Sequence, residues 1–197
     1  MNKNRVEAFT DAIIAIIATI MVLEFKTPET YQLSGIIEEL PYLFSYATSF
    51  FFILVAWYNH HYMFSITQRI TKKVYWVNNF WLFSMSLIPV STAWVGRYIN
   101  HTVPELFYFF IFLVWTIAYL WLSRSIAMSL DLTDKDKADK IRNMPAYKSL
   151  ENKYLILALI LAVFLSFVFP PIMIITTLIE LIIMSISTPE DADKIFQ

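Results

Sequence analysis

Cysteine is missing from these 197 residues, and glycine occurs only twice. Without cysteine there is no disulfide framework, no thiolate metal site and no cysteine nucleophile. Two glycines are too few for a phosphate-cradling loop, a dinucleotide fingerprint or a filter built from glycine-bearing carbonyl loops. Charge is scarce as well. Only 16% of residues are charged and the net is −1, which argues against nucleic acid as a partner. What is abundant is apolar: 58% of the chain is hydrophobic and 17% aromatic. A soluble domain carries about 25% charged residues. The expected class is therefore an all-α integral membrane protein.

Apolar runs of about 18 or more residues mark candidate membrane helices, since ~20 residues cross ~30 Å of hydrocarbon. Six are expected, at about 5–25, 40–65, 74–98, 105–128, 153–169 and 171–187, as one domain over 1–197. The runs are too long and too uniformly apolar for barrel strands. Glu7 and Asp11 sit where a signal peptide is basic, and no small-x-small site follows Leu23, so the first run is expected to be a retained helix.

Thirteen of the 15 cations, Lys26 and Arg97 excepted, fall at the N-terminus, in the second and fourth connections, or at the C-terminus as Lys194. By the positive-inside rule both termini are expected in the cytoplasm. The opposite side gathers Glu24, Glu29, Glu38, Glu39 and Glu105. Such carboxylates would concentrate cations around an outer mouth, or simply form a solvated loop face. The one sizeable polar connection, 130–152, alternates acid and base from Asp134 to Lys140 and contains Pro145. It reads as a solvated helical turn or loop, a plain linker.

Ionisable groups inside membrane helices are costly and are functional candidates by default. Asp11 near the start of the first helix, His60 near the end of the second and Asn78 or Asn79 in the third reach a similar depth in an up-down-up arrangement. Together they could satisfy one another by hydrogen bonding. That would lock three helices together, and is compatible with gating or proton sensing. Glu180 is the carboxylate well inside the sixth run, with Thr176 and Thr177 one turn earlier. No metal site is expected: His60 and His61 are adjacent and point about 100° apart on a helix. Ile16, Thr19, Ile20 and Leu23 share one face of the first helix, but Ile13 and Ile17 define competing faces equally well.

The segment Arg5-Val6-Glu7-Ala8-Phe9-Thr10-Asp11 resembles the R-x-x-x-F-S-D signature of bacterial relatives of the lysosomal potassium channel, transmembrane protein 175. The helix that follows, Ala12 to Met21, is similar to that family's first helix. Trp57-Tyr58-Asn59-His60-His61 resembles its W-x-N-H-H motif, and Asn79 through Leu87-Ile88-Pro89 with Thr92 resembles its third helix. Thr10 stands where the signature has serine, Tyr62 where a basic residue is common, and Val90-Ser91 where the family has Phe-Pro.

The resemblance implies a homotetrameric potassium-permeable channel of a fold unlike the usual potassium channel, not an enzyme, with no cofactor beyond permeant potassium. It would reside in the cell inner (plasma) membrane, with lipid, monovalent cations and its own copies as partners. The first helix would line the pore. Ile16 would form the narrowest apolar ring, with Ile20 and Leu23 stacked beyond it and Thr19 supplying selectivity. Arg5, Phe9, Thr10 and Asp11 would form a supporting network with His60, Asn79 and Trp81. The competing expectations are a proton channel and a secondary transporter coupled to protons or cations, although no internal duplication or glycine-broken helix favours the latter.

Overall fold

The computed structural model describes residues 2–25, 27–144, 147–148 and 152–187. Lys26, Pro145 and Lys194, which entered the charge and linker patterns above, lie outside the described residues. The described residues fold into helices: α1 (Lys3–Leu23), α2 (Leu33–Glu38), α3 (Leu40–Ser65), α4 (Lys72–Ser86), α5 (Ile88–Arg97), α6 (Thr102–Leu130), α7 (Lys135–Arg142), α8 (Lys153–Leu165) and α9 (Ile172–Ser187).

Local chemistry explains where several begin. Asn2, Thr71, Asp134 and Asn152 occupy the N-cap positions of α1, α4, α7 and α8, and each side chain accepts a hydrogen bond from a backbone N–H of the first turn. Proline stands in the first turn of α3 and of α5, where no amide partner is needed.

The third expected span, 74–98, is not one helix. It breaks at Leu87 into α4 and α5. Pro89 lacks the N–H that would bond the Met85 carbonyl, and its ring crowds that carbonyl, so the helix cannot run through unbroken. The fifth expected span is shorter than 153–169, because α8 ends at Leu165 and turn residues follow. Among the described residues three helices are each long and apolar enough to cross a membrane unaided: α1, α3 and α6, with 21, 26 and 29 residues. α8 and α9 are apolar but have 13 and 16 residues. At 1.5 Å per residue those are about 20 and 24 Å long. By length and composition alone the described helices do not show six spans.

The linker contains a real helix. Ala138 and Ile141 of α7 are fully buried against α6, and the Arg142 guanidinium bonds both Asp131 and, at 3.0 Å, Asp139. That guanidinium holds the Asp131 carboxyl below its ordinary range.

Around α6 the core is aromatic. Phe52 of α3 meets Trp115 edge-on at 4.7 Å, and Phe112, Trp115 and Tyr119 stack along one side of α6. α3 and α5 approach closely at Gly96, where a β-carbon would lie 2.8 Å from the Tyr42 ring and 3.2 Å from its Cα. α1 packs on α3, α4 and α5, and α9 packs on α3, α6 and α8. These contacts leave one long side of α1 uncovered.

Candidate pore helix and its supporting network

α1 has two unlike faces. Val6, Thr10, Ile14, Ile17 and Met21 are buried, following one another in steps of three or four so that they share a face. On the other side Phe9, Ile16, Ile20 and Leu23 are 51%, 56%, 43% and 79% exposed. Thr19 lies exposed between Ile16 and Ile20, and its hydroxyl donates to the Ile16 carbonyl at 2.8 Å. That bond uses the hydroxyl proton and leaves the oxygen's lone pairs as acceptors. Of the competing faces in the sequence, the one with Ile17 turns inward and the one with Ile16 turns out.

The buried face of α1 is keyed to α3 and α4 through polar groups. The Asn78 amide nitrogen donates to the Thr10 hydroxyl at 2.9 Å, and its carbonyl oxygen lies 2.8 Å from His60 Nε2. Thr10, His60 and Asn78 are 0%, 2% and 0% exposed. The His60 ring is sandwiched between Trp81, at 4.7 Å and 11° from parallel, and Phe64, at 4.0 Å. Two ring contacts and one amide bond orient the imidazole.

Two expectations need correction here. Asn79 is not the amide of this network; its side chain donates to the Tyr75 carbonyl of its own helix at 2.7 Å. Asn78, one position earlier, points inward instead. Asp11 does not bond His60 either. Its carboxylate accepts from Trp57 Nε1 at 2.9 Å, and Trp57 in turn stacks on His61 at 5.6 Å. Trp81 joins by stacking alone, with its Nε1 unpartnered among the described residues. Arg5 and Phe9 sit on the exposed side of α1, apart from the buried chain of hydrogen bonds.

The family model described as the endosomal/lysosomal potassium channel TMEM175 matches residues 5–89, which hold most of α1, all of α2, α3 and α4, and the start of α5. A potassium channel of a Chryseobacterium species is 41% identical over 96 residues, 49% of this chain and 50% of that protein. One from Streptomyces collinus is 32% identical over 105 residues, 51% of each. The fold resembles the crystal structure of a lysosomal potassium-selective channel TMEM175 homolog from Chamaesiphon minutus. The TM-score is 0.77 and the identity 28%, over 93% of this chain and 96% of that one. Over residues 5–89 the chain resembles the TMEM175 family, and its fold resembles that of a TMEM175 homolog. By its description that family is one of ion channels, not enzymes. The chain spans about half the length of the curated relatives it matches.

Sequence reasoning missed two features of this bundle. The Thr92 and Ser49 hydroxyls lie 2.7 Å apart, and Ser49 lies 3.0 Å from the Tyr108 hydroxyl, so three buried hydroxyls tie α5, α3 and α6 together. Thr92 stood out in the third-helix pattern, but nothing in the sequence pairs it with Ser49, 43 residues away. The second is Glu105, grouped with the outer carboxylates as if solvated. It is 0% exposed, and its carboxylate accepts the Ile174 N–H at 3.1 Å in the first turn of α9. A helix N-terminus offers unbonded amides and a partial positive charge, which suits the oxygen facing it, while the other, Oε1, has no partner among the described residues. Glu24 does stay partly exposed, 4.0 Å from Arg97.

Proposed function

We propose that this chain forms a potassium-permeable cation channel of the inner (plasma) membrane, assembled as a homotetramer around α1. The observation that best supports this reading is the bare strip Ile16, Thr19, Ile20 and Leu23 on a helix whose opposite face is fully packed. Four copies meeting on that strip would enclose one central path. In this reading the chain crosses the membrane six times as a single domain over 1–197, with both termini cytoplasmic. α4 and α5 together make the third span, and the short α8 and α9 make the last two.

Rings of Ile16, Ile20 and Leu23 offer a passing ion no ligand that replaces its hydration, so a closed ring blocks by dewetting. Outward movement of α1 opens it. Thr19 presents acceptor oxygens one turn beyond Ile16. Hydroxyls on side chains hold an ion less rigidly than a cage of backbone carbonyls, so preference for potassium over sodium is modest. The chain Thr10–Asn78–His60 and the pair Asp11–Trp57 would hold α1 against α3 and α4 while its other face lines the path. Arg5 and Phe9, on the exposed side, would complete the network between subunits.

Liposomes holding a potassium gradient test this. Purified protein should dissipate the gradient passively, and the protein–detergent particle should contain four copies. Flux that proceeds only with a counter-gradient of protons or sodium would identify a coupled transporter. Proton flux without potassium flux would identify a proton channel.

A further inference from the structure

Between α6, α8 and α9 lies a cavity of about 320 Å³, remote from the bare strip of α1. That places it at the lower end of the range, roughly 300–1,000 Å³, that small-molecule sites occupy. Phe109, Phe112 and Leu113 of α6 and Leu159 and Val163 of α8 make its walls apolar, and Glu180 of α9 reaches it from the third side. Its α8 wall is thinly supported: Ala162 is the one buried residue of that helix, and the lining side chains Ile156 and Ile160 are 49% and 50% exposed. A ligand dissolved in the bilayer could enter past them.

Glu180 is the anomaly. It is 5% exposed, yet neither carboxyl oxygen has a hydrogen-bond partner among the described residues. The hydroxyls that could help are engaged elsewhere: Thr116 donates to the Phe112 carbonyl at 2.9 Å, Thr176 to Ile172 at 2.6 Å and Thr177 to Met173 at 3.1 Å. Glu105, the other buried carboxylate, has the N-terminus of α9 to receive it. Apart from Thr116, the side chains that line the cavity with Glu180 are hydrocarbon. Ionised, it is an uncompensated charge; protonated, it is an O–H and a carbonyl with nothing to bond. Either state leaves the site short of a hydrogen-bond donor, and the ionised state leaves it short of a positive charge.

We infer that this cavity binds a protonated lipophilic amine, whose ammonium donates to the Glu180 carboxyl while its apolar body fills the space between Phe109, Phe112, Leu159 and Val163. The ammonium supplies both missing elements at once, and the apolar walls select a hydrocarbon body over a hydrated cation. Neither the pore strip nor the Thr10–Asn78–His60 chain takes part, so the site stands whether or not the chain conducts potassium.

Adamantylamine and its uncharged counterpart adamantanol share one body and differ in charge, which makes them the probes. With the full chain purified in detergent, adamantylamine should bind by calorimetry above the empty-micelle baseline and raise the thermal unfolding midpoint. Adamantanol should bind at least tenfold more weakly. Glu180→Gln should weaken the amine by roughly 10- to 100-fold, the range for losing a hydrogen bond to a charged group. Leu159→Trp fills the cavity while keeping the carboxyl, and should abolish binding of both probes. Equal affinity for amine and alcohol would show an unselective apolar cavity and overturn the assignment. So would amine binding that survives both substitutions, or no binding at all.

Discussion

The indole Nε1 of Trp57 donates to the carboxylate of Asp11 at 2.9 Å, joining residues 46 positions apart on α3 and α1. Because Asp11 lies on the exposed side of α1 and Thr10 on the buried side, adjacent residues of one helix grip two different partners. Any rotation of α1 about its axis must break one grip or both. The first prediction concerns that coupling. Trp57→Phe and Asp11→Asn should each weaken the fold slightly, and a double-mutant cycle should return an interaction of about 1 kcal/mol, modest because both groups are partly exposed. Unfolding in detergent measures it, and a coupling of zero would mean that the contact does not hold α1.

Ile16→Asn is expected to raise resting potassium flux in liposomes, because an amide ring keeps water in the narrowest part of the path. Ile17→Val, on the buried face of the same turn, serves as the control and should leave flux unchanged. Unaltered flux across polar substitutions at position 16 would remove Ile16 from the constriction.

Thr19→Val keeps the shape of the side chain and removes its oxygen. Potassium-over-sodium preference, read as a reversal potential under bi-ionic conditions, should fall toward unity. A reversal potential that stays put would leave the hydroxyl with only its bond to the Ile16 carbonyl.

The two asparagines of α4 should separate cleanly. Asn78→Leu strands the Thr10 hydroxyl and one His60 nitrogen in a buried setting, and should cost about 1–3 kcal/mol. Asn79→Ala removes a side chain bonded within its own helix, and should cost no more than ~0.5 kcal/mol. Thermal melts of the purified variants decide, with a larger loss at position 79 counting against the network described above.

Some of this was readable in the residues and some was not. That α1 is an apolar helix follows from its composition. Which face it buries does not, because isoleucine or alanine stands on every side of it from Ala12 to Ile20 and the period carries no contrast. The break at Leu87 had a visible cause in Pro89, yet an apolar run continuing past it suggested one span. Asn78 and Asn79 differ by about 100° around the helix, so only the placement of α4 against α1 and α3 says which one is inside. Glu105 looked solvated because it opens a helix near a polar loop. Its partner, Ile174, is 69 residues further on.

By itself the sequence determined the membrane setting and the helical class, and it excluded a filter of glycine-bearing carbonyl loops. Those depend on summed apolar area, helix length and residue inventory, which add up along the chain without reference to neighbours. The absence of cysteine and the near-absence of glycine belong to that category. Tertiary structure alone decided which strip of α1 stays bare, which asparagine meets His60, and that Glu180 has no partner among the described residues. Burial and hydrogen-bond satisfaction are properties of pairs of surfaces, and those pairs exist only once helices far apart in sequence have packed.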